Sequence, residues 1–227
     1  MSTGEVGQRM RNTEKDELMM SARRELILEQ GFRLFSENGI PAVTMQQVAD
    51  ACGIGIATLY RYYNTKRALV IDIARAQWEE YAEHVNEVRK RIEDEDLTAA
   101  ERMNVGLGFY IDLYRNHSAM LCFNQDFNNF VRHEGITQDQ LAPYLEAINV
   151  FAGMFRDAYR KGREDGTLQG AVSEEKLFAA SAHIMMAVAV RYAQGLVYSA
   201  ENEADRTEEL QMVRRMLMRE FTTPPEA

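Results

Sequence analysis

Cysteine and proline are scarce in this sequence, and their scarcity argues against several classes of protein. The 227 residues include two cysteines and four prolines. Cys52 and Cys122 do not form a CxxC pair, which disfavours both a disulfide framework and a cysteine-based zinc site. Two of the prolines, Pro224 and Pro225, lie in the tail, so few interior segments are prevented from forming helix. We therefore expect reduced thiols, a cytoplasmic location and an all-α fold.

Long apolar runs are also missing. The first residues, MSTGEVGQRMRNTEKDE, lack the apolar segment of a secretion signal. No stretch reaches the roughly 18 apolar residues that a transmembrane helix needs. We therefore expect a protein that is not exported and has no membrane partner.

Basic residues are outnumbered, but only in the second part of the chain. The formal net charge is -9. Residues 1–67 contain nine Lys/Arg and eight Asp/Glu, whereas residues 68–227 contain seventeen and twenty-seven, a net charge of -10. A polyanionic partner is therefore disfavoured over most of the surface but not over the amino-terminal part.

Helical periodicity runs through most of the chain, with no convincing strand. Asn38 and Gly39, followed by Pro41, give the stop signal expected at the end of the first helix. The predicted helices cover about 22–35, 44–52, 56–62, 66–92, 98–116, 118–133, 138–165, 178–190 and 207–221. Residues 164–175 are predicted to be largely loop.

Two short helices across a glycine turn are predicted between residues 44 and 62. Thr44 is followed three residues later by Gln47, which is a capping box at the start of the first. Gly53 then breaks that helix, and Gly55 opens the next one. This arrangement predicts a helix-turn-helix, followed by a long helix that Thr65 can cap.

The last two predicted helices are candidates for a dimer interface. Residues 178–190, FAASAHIMMAVAV, have only Ser181 and His183 as polar side chains, so this helix must be covered on most sides. The final helix places four apolar side chains on one face: Leu210, Val213, Leu217 and Phe221. These helices suit a dimer interface, although the core of a monomer could also absorb them.

Residues 44–66, TMQQVADACGIGIATLYRYYNTK, resemble the DNA-binding motif of the TetR family of transcriptional regulators. The family pattern is G-[VI]-x-x-[GA]-T-[LI]-Y-x-[YH]-[FY]-x-x-K, and it matches without a gap from Gly53 to Lys66. The resemblance covers about residues 22–70, and the remainder is similar only in length and helix order. The sequence departs from the family at Gly55, where a polar cap is usual, and at Ile56, which replaces a commonly polar residue.

The resemblance implies that the helix at 56–62 lies in the major groove of double-stranded DNA. The implied DNA-contacting residues are Thr44, Gly55, Ile56, Ala57, Thr58, Tyr60, Arg61, Tyr62 and Lys66. Among them, Ile56, Ala57 and Tyr60 are expected at base edges, and Thr58, Tyr62 and Lys66 at phosphates. Packing inside the domain is the alternative role for the tyrosines, and we favour it for Tyr63.

The resemblance also implies a small-molecule pocket in the larger part. The candidate pocket residues are Trp78, Tyr81, Phe123, Asn124, Phe127, Asn128, Phe151, Phe155 and Tyr159. Aromatic side chains at helical spacing are more often core than pocket, and that alternative stays open. The four histidines show no metal-ligand spacing, and no cofactor is expected.

The predicted architecture is an amino-terminal three-helix DNA-binding domain followed by a larger helical domain for ligand binding and dimerisation. The predicted parts are a flexible arm at 1–21, the helix-turn-helix domain at 22–66, the larger domain at 67–221 and a tail at 222–227. The predicted function is a homodimeric repressor that a small-molecule effector releases from a pseudo-palindromic operator. One alternative is a DNA-bound interaction protein without an effector. A small helical enzyme is disfavoured, because no nucleophile with a base, carboxylate pair or phosphate-binding loop can be assembled.

Overall fold

The computed structural model describes residues 3–92, 95–169, 173–195 and 203–222. Within these ranges the chain forms helices and no strands, which confirms the predicted all-α fold. The helices are α1 Thr3–Asn38, α2 Met45–Ala51, α3 Ile56–Tyr62, α4 Lys66–Arg91, α5 Ala99–Asn116, α6 Ser118–Glu134, α7 Gln138–Glu164, α8 Glu174–Ala193 and α9 Glu203–Thr222. No described helix combines the length and the apolar character that crossing a membrane requires.

Three helices start earlier than the sequence pattern predicts. Helix α1 begins at Thr3, so residues 3–21 are helical where a flexible arm was expected. No proline precedes Pro41, so no residue of this stretch is barred from the helix. Helices α8 and α9 also start before their apolar stripes. In α8 the first turn consists of polar residues, including Glu174, which favour a helix amino end without contributing to the apolar period. Of the predicted tail, Thr222 ends α9, and residues 223–227 lie outside the described ranges.

The chain divides into two compact units, Met1–Ala76 and Gln77–Ala227. The division falls inside α4, ten residues beyond the boundary predicted after residue 66. The first part of α4 belongs to the first unit because Leu69, Val70 and Ile73 are fully buried there. Ile73 lies so close to α1 that a Cβ at Gly31 would be 2.7 Å from its Cδ1 atom.

In the first unit, α1 to α3 and the start of α4 enclose a small apolar core. Ile27, Phe35, Ile40, Val48 and Leu59 are each fully buried. Burial of these side chains from successive helices fixes the positions of α2 and α3. The face of α3 opposite Leu59 is thereby left at the surface.

In the second unit, α5 is the central helix and packs against α6, α7, α8 and α9. Its buried side chains include Met103, Leu107 and Leu113. Helices α8 and α9 pack against each other.

The apolar stripe of α9 splits between the core and the surface. Leu210 and Phe221 are buried within the chain itself, so the predicted alternative of a monomeric core holds for these two residues. A different apolar set remains exposed on the last two helices, which we call the exposed stripe. It consists of Ala180, Ile184 and Ala187 on α8 and Met212 and Met216 on α9. Ile184 is 44% exposed and Met216 is 56% exposed.

Candidate nucleic-acid interface and ligand cavity

The start of α2 is fixed by the predicted capping box. The Gln47 backbone N–H donates to Thr44 Oγ1 at 3.2 Å, and the Thr44 N–H donates to Gln47 Oε1 at 2.8 Å. The turn after α2 depends on Gly53, which has a φ of +64°, a conformation that glycine adopts without a steric penalty. Thr65 Oγ1 accepts from the Ala68 N–H at 3.1 Å and caps α4, as predicted.

Helix α3 presents one face to solvent. Leu59 is fully buried, whereas the next residue, Tyr60, is 49% exposed. Of the predicted DNA-contacting residues, the exposed ones are Thr44, Gly55, Ala57, Tyr60 and Arg61. Ile56, Thr58, Tyr62 and Lys66 are partly exposed. Gly55 is the N-cap of α3 and provides no side-chain cap, so the amino end of this helix stays open. An exposed face with polar and aromatic side chains on a short helix is suited to entering a DNA groove.

Tyr63 packs inside the domain, as the sequence favoured. It is 6% exposed, and its hydroxyl donates to Asp72 Oδ2 at 2.5 Å. Arg24 donates to both groups, with distances of 3.3 Å to Tyr63 Oη and 2.7 Å to Asp72 Oδ2. Arg75 donates to Asp72 Oδ1 at 2.8 Å. This network joins α1 to the end of α3 and the start of α4, and sequence reasoning missed Arg24, Asp72 and Arg75 as its members.

The charge of Asp72 depends on this network. Burial by itself would raise the pKa of the Asp72 carboxyl, but hydrogen bonds from Tyr63 and Arg75 and the charge of Arg24 lower it below its usual range. A carboxyl whose pKa is lowered on folding contributes stability above the pKa of the unfolded chain. That contribution is lost as the pH falls through the pKa of the folded protein.

We expect Tyr63→Phe to lower the free energy of unfolding of the first unit by about 1–3 kcal/mol, because it removes a buried hydrogen bond to a charged group. The loss should narrow as the pH falls below the usual aspartate pKa of about 3.9, where the unfolded chain takes up the proton, and should be smallest below the lowered pKa of Asp72 in the folded protein. Thermal and urea unfolding of the full chain at neutral and acidic pH would measure both effects.

The neighbouring tyrosine is the matched control for this prediction. Tyr62 makes no comparable hydrogen bond in the described part of the chain and is partly exposed. Tyr62→Phe should therefore leave stability unchanged and weaken DNA binding instead. Equal losses of stability in the two variants would contradict the structural role of Tyr63.

Lys66 has a structural role that the sequence did not reveal. Its ammonium donates to the backbone carbonyl of Ile40 at 2.5 Å and lies 5.7 Å from the centroid of the Phe35 ring. The predicted phosphate contact would have to share this ammonium, which has three donors. Substitution of Lys66 is therefore expected to affect folding of the first unit as well as any phosphate contact.

The second unit contains a cavity of about 880 Å³ between its helices. Side chains from α4, α5, α6, α7 and α8 line it. One wall is aromatic: the Trp78 and Phe151 ring centroids lie 5.5 Å apart, and the Phe155 and Phe178 centroids 5.1 Å apart. This volume is within the range of sites that bury a small molecule.

Five of the predicted pocket residues line this cavity, and four do not. The lining members are Trp78, Tyr81, Asn124, Phe151 and Phe155. The remaining four, Phe123, Phe127, Asn128 and Tyr159, lie outside the lining. The prediction of pocket residues therefore needs correction on α6 and at Tyr159.

The geometry of α6 explains most of this correction. Phe123 and Phe127 are 2% and 1% exposed, and Phe127 packs 4.8 Å from the ring of Tyr144. Successive helical positions point about 100° apart, so Phe123 and Asn124 do not face the same side. Asn128 is exposed at the surface. A larger side chain at Phe127 would overpack the core instead of filling the cavity.

Several polar groups of the cavity wall are engaged in hydrogen bonds within the protein. Tyr81 Oη donates to the Phe109 carbonyl at 2.7 Å, and Tyr144 Oη lies 3.3 Å from Asn124 Oδ1. Burial raises the pKa of Tyr110 to about 12. Its hydroxyl therefore stays protonated near neutral pH. Sequence reasoning missed Tyr110, although its spacing from Gly106 places both on one face of α5.

His84 and His117 lie near one carboxylate at the edge of this unit. Their Nε2 atoms are 3.4 Å and 3.8 Å from Asp112 Oδ2, which also lies 3.1 Å from Tyr81 Oη. Among the residues that the structure describes, no group of three or more His, Cys, Asp or Glu side chains is suited to holding a metal ion. The cluster is therefore assigned no metal-binding role.

Helix α2 begins with a capping box, a glycine turn separates it from α3, and α3 presents one face to solvent. These features define the first unit as a helix-turn-helix DNA-binding domain. Residues 27–73 match the sequence model of bacterial regulatory proteins of the tetR family. The chain therefore carries the DNA-binding domain of the TetR family of transcriptional regulators. It is similar to an HTH-type transcriptional regulator of Staphylococcus aureus, with 29% identity over 149 residues, which are 64% of this chain and 76% of that protein.

Solved structures of regulators share the fold over most of the chain. A TetR transcription regulator from Haloarcula marismortui has a TM-score of 0.69 and 18% identity, covering 88% of this chain and 97% of its own. The transcriptional regulator FadR from Bacillus subtilis in complex with stearoyl-CoA has a TM-score of 0.67 and 14% identity, covering 87% and 98%. The ketosteroid transcriptional regulator KstR2 of Mycobacterium tuberculosis has a TM-score of 0.62 and 19% identity, covering 88% and 95%. The matched proteins are regulators of transcription and not enzymes.

Proposed function

We propose that this protein is a homodimeric repressor that binds a pseudo-palindromic operator and is released from it by a small molecule held in the cavity of the second unit. The observation that carries the proposal is the cavity of about 880 Å³ in a chain whose other unit is a helix-turn-helix domain. Small-molecule sites have volumes in this range.

The DNA contacts are assigned to the exposed face of α3 and to the amino ends of α2 and α3. Ile56, Ala57 and Tyr60 are proposed to read base edges, where apolar side chains can meet thymine methyl groups. Thr44, Thr58 and Tyr62 are proposed to contact phosphates through their hydroxyl groups. Arg61 is exposed in the last turn of α3 and supplies a cation beside them.

Dimerisation is assigned to the exposed stripe of α8 and α9. Apolar side chains as exposed as Ile184 and Met216 are suited to a partner surface. A two-fold dimer would present two α3 helices to half-sites separated by about one DNA turn, roughly 34 Å.

Helix α4 is the proposed connection between ligand and DNA. It is one continuous helix that begins at Lys66 in the first unit and carries Trp78 and Tyr81 in the cavity wall of the second. A ligand weakens DNA binding only if it binds the non-DNA conformation more tightly. A displacement of α4 on ligand binding would change the separation of the two α3 helices.

The coupling between the two sites is the test of this proposal. Small molecules that copurify with the protein would be identified by mass spectrometry, and an operator would be selected from random DNA. We expect the identified molecule to weaken operator binding by about 5- to 150-fold, and operator DNA to weaken its binding by the same factor. Calorimetry with and without operator measures the second factor.

The rival function is a DNA-bound interaction protein that responds to no effector. If the affinity for the copurified molecule were the same with and without operator, the release mechanism would be wrong and this rival would be favoured. Loss of sequence-specific DNA binding altogether would contradict both.

A further inference from the structure

The cavity of the second unit is cationic at one end and apolar along its length. Each of three lining helices contributes a cation to the one end and apolar or aromatic side chains to the rest of the cavity. Helix α4 contributes Trp78 and, eleven residues later, Arg89, and α7 contributes Tyr144 and Lys161. Helix α5 runs along the cavity in the opposite direction to α4 and α7, so its cation precedes its apolar residues in the sequence. Along its cavity face lie Arg102, Gly106, Tyr110 and Leu113.

The cations of the three helices lie at the same end of the cavity. The Arg102 guanidinium donates to the carbonyls of Ile92 at 3.1 Å and Glu95 at 2.9 Å, which brings the start of α5 to the end of α4. The Ala99 backbone hydrogen-bonds to the carboxylate of Asp165, the residue that ends α7. We call this group the cationic end; it consists of Arg89, Lys90, Arg102 and Lys161.

This local charge is opposite to that of the surrounding chain. Residues 68–227 carry a net charge of -10, yet among the residues that the structure describes the cavity lining contains four Lys or Arg and one acid, Asp157. Asp157 lies 3.5 Å from Arg160, a residue outside the lining. A cluster of cations beside an apolar wall raises the local concentration of anions.

The apolar part of the cavity is long, and the space next to the cationic end is not filled by side chains. Eleven residues separate Arg102 from Leu113 along α5, which is roughly 16 Å of helix. Gly106 lies one turn beyond Arg102, and a Cβ atom built there would meet no other atom within 4 Å. Beyond it the lining is mainly aromatic and aliphatic, with Tyr110, Leu113 and Phe151 among its members.

We propose that the cavity binds an amphiphilic anion, with a hydrocarbon chain along the apolar wall and a carboxylate or phosphate head group at the cationic end. The proposal rests on the proposed function, because it names the class of the effector. Two sources share this chemistry: free fatty acids and their thioesters with a phosphate-bearing carrier.

Calorimetry on the full-length protein tests the ligand class with four probes that share a twelve-carbon chain. The anions are dodecanoate and dodecanoyl-CoA, and the comparison probes are dodecanol and dodecyltrimethylammonium. We expect at least one anion to bind tenfold or more tightly than either comparison probe. In the series from octanoyl to dodecanoyl, each methylene should tighten binding by about fourfold. Tighter binding of dodecanoate would identify free fatty acids as the ligand class, and tighter binding of dodecanoyl-CoA would identify their thioesters.

The double variant Lys90→Gln, Lys161→Gln tests the cationic end. It should weaken binding of the favoured anion about tenfold and leave dodecanol unchanged. Arg132→Gln is the matched control, because Arg132 is an exposed cation on α6 outside the lining. Comparison probes that bind as tightly as the anions would overturn the ligand class. Operator binding without ligand is measured in parallel, so that failure of the ligand class is distinguished from failure of the proposed function.

The Gly106→Leu variant tests where the hydrocarbon chain of the ligand lies in the cavity. The leucine would project into the open space beside Gly106 and should weaken binding of the favoured dodecanoyl anion at least tenfold. Gly153→Leu is the control: Gly153 is a helical glycine of α7 that also has no atom within 4 Å of a built Cβ, and it lies outside the lining. Circular dichroism verifies that both variants fold. Equal affinity of the two variants for the anion would overturn this placement.

Discussion

The Ala187→Glu variant is expected to be monomeric and to lose about 100-fold or more in operator affinity. Ala187 belongs to the exposed stripe and lies one turn after Ile184 on α8. Each Glu would bring a negative charge into the proposed dimer interface, and removing such a charge from water costs several kcal/mol. A monomer presents one α3 helix to DNA and loses the gain that comes from joining two binding modules. Sedimentation and fluorescence anisotropy with a selected operator would measure both changes.

Ala142→Glu provides the control for this prediction. Ala142 is exposed on α7 and receives the same substitution away from the exposed stripe. It should remain dimeric with unchanged operator affinity. A wild-type protein that sediments as a monomer at micromolar concentration would refute the assigned interface, and so would an Ala187→Glu variant that remains a dimer.

The Tyr60→Ala variant is expected to bind its operator more weakly by roughly 30-fold to 10⁴-fold and to prefer different sequences. A direct base contact contributes about 1–3 kcal/mol, and a dimer makes each contact twice. The fold should be retained because Tyr60 is 49% exposed and makes no core contact comparable to that of Leu59. Anisotropy on a panel of operators with single base changes would measure the altered preference.

A control variant that shortens another exposed apolar side chain of the first unit tests whether the loss of DNA affinity is specific to Tyr60. Leu26 is 37% exposed on α1, outside the proposed contact face, so Leu26→Ala should leave affinity and preference unchanged. If Tyr60→Ala weakened all sequences to the same extent, Tyr60 would contact the DNA backbone and not the bases.

The helix-turn-helix could be predicted in detail from the sequence. Thr44 and Gln47 mark the start of α2, Gly53 marks its turn, and the ranges of α2 and α3 in the structure agree with the prediction within a residue. The packing role favoured for Tyr63 is also confirmed. In contrast, the early start of α1 could not be predicted from apolar periodicity, because its first turns carry no regular apolar stripe.

The ligand cavity could be predicted only in part. Phe123 and Phe155 both belong to regular aromatic stripes, yet only Phe155 lines the cavity. The spacing of a stripe identifies the buried face of a helix, but it does not distinguish core from cavity wall. Gly106 was not identified from the sequence, although a glycine inside an amphipathic helix often marks a position where space is needed.

The sequence by itself determined the helical class, the capping of α2 and the glycine turn, because caps, turns and periodicity depend on interactions between residues within about four positions of one another. The tertiary structure decided the rest: that Lys66 is held by Ile40, that Arg24 pairs with Asp72, and that Arg102 and Lys161 line the same cavity. These contacts join residues tens of positions apart. They exist only once the helices have packed, so no local pattern in the sequence encodes them.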